Sequence, residues 1–134
     1  MRAQKATQIR LLLLLVIIGL GIGSRASTTG LPILDNYLGD GLYAAMAFIL
    51  WTIVLKGREA LSALLAMVVV GSMELFQLST IPLKLSASDH PFIRLVAALI
   101  GTTFGYLDIL SYAIGIICCF WIYRYLMFGR SDPS

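Results

Sequence analysis

The chain has 134 residues, a mass of 14.6 kDa, a net charge of +3 and a mean hydropathy of +0.90, with 59% hydrophobic and 13% charged residues. Soluble domains carry about 25% charged residues and disordered chains need low hydrophobicity with high charge, so both classes are excluded. The two cysteines, Cys118 and Cys119, are neighbours and cannot staple a disulfide scaffold, which leaves a small polytopic membrane protein, read below as all-α.

A membrane helix needs about 20 mainly apolar residues to cross about 30 Å of hydrocarbon. The first apolar run covers residues 11–24, between Arg10 and Arg25. Its basic start and short apolar core resemble a cleavable signal peptide, but Ser24-Arg25-Ala26 is a poor cleavage site. The second run, 41–55, lies between Asp40 and Lys56, and the third, 60–73, between Glu59 and Glu74. The fourth, 109–123, lies between Asp108 and Arg124. None alternates with period two, which argues against a β-barrel. Residues 95–107 are apolar as well, but Asp108 follows without room for a turn. They are expected to begin the last helix or to form a short extra helix before it, with Gly101 and Gly105 as break points. The expectation is a single four-helix transmembrane domain with spans at about 8–24, 39–55, 60–79 and 104–126.

Orientation follows from lysine and arginine in the short connections. A cytoplasmic N-terminus puts Arg2, Lys5, Arg10, Lys56, Arg58, Arg124 and Arg130 inside and leaves only Arg25, Lys84 and Arg94 outside. Both termini are therefore expected inside. The longer outer connections, 25–39 and 79–103, contain Pro32, Pro82 and Pro91.

The charges that bound each run are 15 or 16 residues apart. That is about 22–24 Å of helix, short of about 30 Å of hydrocarbon. Some outer charges must then lie below the surface. Sequence beyond Glu74 (Leu75-Phe76-Gln77-Leu78) and before Asp108 stays apolar, so these two carboxyls are the expected embedded ones. Such a group costs several kcal/mol and normally faces the bundle interior with a partner. Glu74 with Gln77, Asp108 with Tyr112, and Asp40 with Tyr43 share helix faces by their spacing. The expected ligand-binding cluster is Asp40, Glu74, Gln77, Arg94, Asp108 and Tyr112, with Arg25 near it. The alternative is that these charges only end helices or hold them together.

The string Gly39-Asp40-Gly41-Leu42-Tyr43-Ala44, then Glu74-x-x-Gln77, Arg94 and Phe104-x-x-x-Asp108-x-x-x-Tyr112-x-x-Gly115 form one ordered pattern. Over residues 25 to 123 it resembles a family of small bacterial four-helix membrane proteins of unknown function, itself similar to VanZ-like proteins. VanZ-like chains tend to have Asn where this chain has Tyr112. The resemblance implies a multi-pass protein of the bacterial inner membrane and implies no reaction.

Cys118 and Cys119 read as small apolar residues, and a lone His90 with Asp89 makes no zinc site. Trp51, Trp121, Tyr123 and Tyr125 near the inner ends, with Tyr37, Tyr43 and Tyr106 near the outer, read as aromatic belts. Gly19-x-x-x-Gly23, Gly101-x-x-x-Gly105 and Gly115 permit close helix approach. No cofactor and no nucleic acid is implied. The expected partners are the bilayer, a lipid or cell-envelope ligand, and a second copy or a membrane partner protein. The functional expectation is an outward-facing polar site that binds or moves a lipid or envelope-precursor head group. Arg94 would sit on its phosphate. A metal- or carboxylate-dependent enzyme, using Asp40, Glu74 and Asp108, and a structural subunit stand as alternatives.

Overall fold

The computed structural model describes residues 2–26, 30–100 and 105–129, apart from the side chains of 25, 32–34, 36, 99 and 100. Six helices follow in chain order: α1 (Arg2–Ala26), α2 (Pro32–Val54), α3 (Glu59–Leu78), α4 (Ile81–Ser86), α5 (Pro91–Ile100) and α6 (Tyr106–Phe128), with no strand among the described residues. Four helices, α1, α2, α3 and α6, are long and apolar enough to cross a membrane. The 20 residues of α3 span about 30 Å, the thickness of the hydrocarbon core.

Several helix ends differ from expectation for local reasons. α2 begins at Pro32, ahead of its candidate span at Tyr37–Val54. Proline at the first helical position lacks an N–H that would be orphaned there anyway, and it holds Leu31 extended (φ −102°, ψ 106°). Of the two readings for segment 95–107, the short extra helix before the last span is the one found: α5 covers Pro91–Ile100, and α6 opens at Tyr106 behind Gly105, which is extended (φ −139°). Residues 101–104, with the expected break at Gly101, lie outside the described residues. A further short helix, α4, was not foreseen. Its six residues, opening with Ile81 and Pro82, are too few to show a helical period.

The α2–α3 link is a compact C-terminal cap. Gly57 N–H donates to Thr52 O (2.8 Å) and Lys56 N–H to Ile53 O (3.4 Å), which closes the last carbonyls of α2. Both residues are left-handed, Lys56 at φ 53° and Gly57 at φ 87°.

α2 is the central helix and packs on α1, α3 and α6, while α3 also meets α6. α4 packs on α3 and α5 on α4. α3 buries one stripe, Ser62, Ala66, Val70, Glu74 and Gln77, and α6 buries Tyr112, Ile116, Cys119 and Tyr123. These spacings of three and four hold one face of each helix toward the core. Phe48 of α2 lies against Phe120 (6.1 Å between ring centres) and edge-on to Tyr123 (5.9 Å). Most other large apolar side chains point outward, including Leu12, Leu15 and Ile22 of α1, as a lipid-facing surface requires.

Tyr123 is therefore not a belt residue. It is 1% exposed and part of the core, whereas Trp121, Tyr125 and Tyr106 are exposed. The cysteines separate as well: Cys119 is buried and Cys118 exposed. Gly19 and Gly23 face open space, so they mediate no close approach within the chain. The close approach lies at Gly115, where a Cβ would collide with the backbone of Gly41.

Candidate functional site

The α2–α6 crossing at Gly41 and Gly115 sets the depth of the polar groups. A Cβ on Gly41 would lie 3.3 Å from the Ser111 carbonyl oxygen. With the backbones this close, Asp40 of α2 comes against the first turns of α6. The Asp40 and Asp108 side chains lie close enough to interact. Both are close enough to Tyr112 to act on it electrostatically, as is Glu74.

Glu74 is the deepest of the acids. It completes the buried stripe of α3 and is 1% exposed. The Tyr112 hydroxyl donates to Glu74 Oε1 over 2.6 Å, a buried bond from α6 to α3. Glu74 Oε2 is buried and has no hydrogen-bond partner. Other buried polar groups close on their own helix: Thr52 Oγ1 donates to Ile49 O (2.6 Å) and Ser62 Oγ to Arg58 O (2.7 Å). Glu74 makes no such bond to its own helix, whose mid-span offers no spare N–H, and reaches across to α6 instead. Gln77, three residues on, is also buried. Next to Glu74, Met73 Sδ accepts a hydrogen bond from the Tyr43 hydroxyl at 3.3 Å.

Of the residues expected at the site, Asp40, Glu74, Asp108 and Tyr112 come together, and Gln77 shares the buried face of α3 with Glu74. Asp108 is shallower than expected. It is only partly buried and stands in the first turn of α6, folded back toward Gly105, where an acid complements the helix dipole. Of the apolar stretch before it, the residues up to Ile100 belong to α5, which Gly105 separates from α6. Arg94 is exposed on α5, a helix that packs on α4. The Arg25 side chain lies outside the described residues. No group of three His, Cys, Asp or Glu among the described residues is arranged to hold a metal ion. A groove of about 340 Å³ on α3, lined by Val68, Val69, Ser72, Met73 and Phe76, is apolar and separate from the acids.

A second polar cluster, not foreseen as a site, lies at the opposite end of the bundle. Arg10 Nε donates to the Tyr123 hydroxyl (3.0 Å), and Arg124 Nε lies 3.5 Å from Glu59 Oε2. The sequence signal for it was the α6 stripe, which puts Tyr123 in phase with Tyr112, Ile116 and Cys119. These contacts join the start of α1, the α2–α3 link and the end of α6, so α1 and α3 run opposite to α2 and α6.

A family model described as a protein of unknown function, DUF2809, matches residues 30–116. Nothing links the chain to VanZ-like proteins. No solved structure matches it. The matched stretch holds Asp40, Glu74, Gln77, Arg94, Asp108 and Tyr112. The chain belongs to the DUF2809 family of proteins of unknown function.

Proposed function

We propose that this multi-pass membrane protein binds the polar head group of a lipid or cell-envelope precursor at the cluster of Asp40, Glu74, Gln77, Asp108 and Tyr112. Arg94 takes the phosphate of that head group from α5. The membrane is the bacterial inner membrane, with both termini and the Lys56–Arg58 link in the cytoplasm, as the distribution of lysine and arginine favours. The polar cluster then lies in the outer half of the bundle.

The observation that carries this reading is Glu74. A carboxyl that is 1% exposed, in a helix able to span the membrane, keeps one oxygen without a partner. An unsatisfied buried polar group costs about 1–3 kcal/mol, and a charged one more. A hydroxyl or amine of a head group supplies the missing donor. Because Glu74 is covered, the helices must part before such a group enters.

The test is native mass spectrometry of the protein released gently from its own membranes, beside a Glu74→Gln variant. The expected result is a defined lipid or precursor adduct on the parent chain, lost in a variant that melts at the same temperature. An adduct retained by that variant, or none on the parent, overturns the reading.

The Tyr112–Glu74 bond favours a second reading, a structural subunit whose polar groups lock α3 to α6. Under it, Glu74→Gln changes stability and no adduct.

A further inference from the structure

At the end of the bundle away from Glu74, Arg10 is only partly exposed and is clamped in place. Its Nε is committed to the Tyr123 hydroxyl, and Tyr123 is itself fixed by burial and by Phe48. Its Nη2 lies over Gly57, where a Cβ would stand only 2.5 Å away. The glycine thus leaves room for the guanidinium, and the cap geometry of the link keeps it there. No acid pairs with Arg10 among the described residues. The neighbouring acid, Glu59, is taken by Arg124, which also lies over the Phe120 ring at 5.7 Å. The residues on either side of Gly57, Lys56 and Arg58, are both exposed cations. Arg10 directly precedes the apolar run of α1, so the group stands at the hydrocarbon boundary, where lipid phosphates lie.

We propose that Arg10, with Lys56 and Arg58 across Gly57, forms a binding site for a phosphate group at the membrane surface, of the kind carried by anionic phospholipids. A guanidinium held through Nε keeps both Nη groups for a phosphate, and its fork matches two phosphate oxygens where a lysine offers a point charge. Tyr123 is the positioning residue: it orients Arg10 and does not itself contact the phosphate. The site is independent of the head-group cluster around Glu74.

The full chain, reconstituted in phosphatidylcholine nanodiscs, is titrated with phosphatidylglycerol carrying brominated acyl chains. Quenching of Trp51 and Trp121, both within a few residues of this end, reports the lipid. Brominated phosphatidylcholine is the control, and inorganic phosphate is titrated as a competitor. The expected result is saturable quenching by phosphatidylglycerol at low mole fraction. Its apparent affinity falls by about fivefold or more in Arg10→Gln, in line with the weight of one basic residue at an anionic surface. In Arg10→Lys and Tyr123→Phe it falls by less. Competition by millimolar phosphate identifies a soluble phosphate as an equal occupant of the same site, and no competition identifies the lipid. Equal quenching by both lipids, or an Arg10→Gln variant that keeps the preference, overturns the proposal. Should Arg10→Gln fail to fold, Arg10→Lys and Tyr123→Phe decide it, since unchanged affinity in both rules out a positioned fork.

Discussion

The Tyr112 hydroxyl and Glu74 Oε1 are joined by a 2.6 Å hydrogen bond that is buried and spans two helices, α6 and α3. It satisfies one oxygen of a carboxyl whose other oxygen, Oε2, is buried without a hydrogen-bond partner. Tyr112→Phe removes the donor and leaves both Glu74 oxygens bare. Polar bonds between membrane helices average about 0.6 kcal/mol, and stranding a buried acceptor costs about 1–3 kcal/mol. The expected loss is therefore nearer about 2 kcal/mol than 0.6, read as a lower unfolding midpoint in detergent. Replacing both partners, in Tyr112→Phe with Glu74→Leu, restores much of the loss, because nothing polar is left stranded. A double variant worse than the sum of the two single changes contradicts this account.

The depth of these two residues was half legible in the sequence. Glu74 has apolar residues on both sides within one helix, and only an embedded acid reads that way. Asp108 has the same surroundings in sequence, yet they belong to two helices, α5 and α6, divided at Gly105. A hydropathy pattern cannot tell a continuous helix from two abutting ones. The four long helices were legible, because a bilayer forces apolar runs of about 20 residues on any chain that crosses it. α4 was not, since six residues carry no period. Tyr123 near a helix end reads like a belt aromatic, and only its phase with Tyr112 and Cys119 separates it from Trp121 and Tyr125.

Lys56 occupies the left-handed position that glycine usually fills at the end of a helix, with φ 53°. A non-glycine residue in that conformation costs about 1–2 kcal/mol. Lys56→Gly is expected to raise the unfolding midpoint, by up to about 1 kcal/mol once the greater freedom of glycine in the unfolded chain is subtracted. Gly57→Ala at φ 87° acts in the opposite direction, and its new methyl also pushes Arg10 off Tyr123. Thermal melts of the two variants in one detergent check the sign of each. A Lys56→Gly variant less stable than the parent shows that the lysine side chain makes up for its backbone strain.

The two cysteines differ in surroundings although they are neighbours. Cys118 is exposed on the outer face of α6, and Cys119 is buried in the core cluster. Cys119→Ala removes a buried group and is expected to cost about 1 kcal/mol, whereas Cys118→Ala changes stability by less than about 0.5 kcal/mol. A lipid-soluble thiol reagent in membranes should modify Cys118 first, with mass analysis of the peptide locating the adduct. Preferential modification of Cys119 contradicts the packing of α6 against α2.

Gly115 and Gly19 test whether the helix crossing, rather than small residues as such, holds the bundle. A methyl at Gly115 meets the backbone of Gly41, which is not a flexible side chain and cannot swing aside. The α2 and α6 backbones must then move apart, and forcing such a gap costs about 1–3 kcal/mol. The shift also draws Asp40 away from Asp108 and Tyr112, so Gly115→Ala should disturb the polar cluster without touching any member of it. A methyl at Gly19 or Gly23 meets nothing within 4 Å, so Gly19→Ala and Gly23→Ala are expected to leave the monomer's melting unchanged or slightly raised. Melting of all three variants at several protein concentrations separates the crossing from self-association. A loss of stability in Gly19→Ala that grows on dilution would place a partner helix on that face of α1. Equal stability of Gly115→Ala and the parent chain would mean that α2 and α6 do not cross at Gly41.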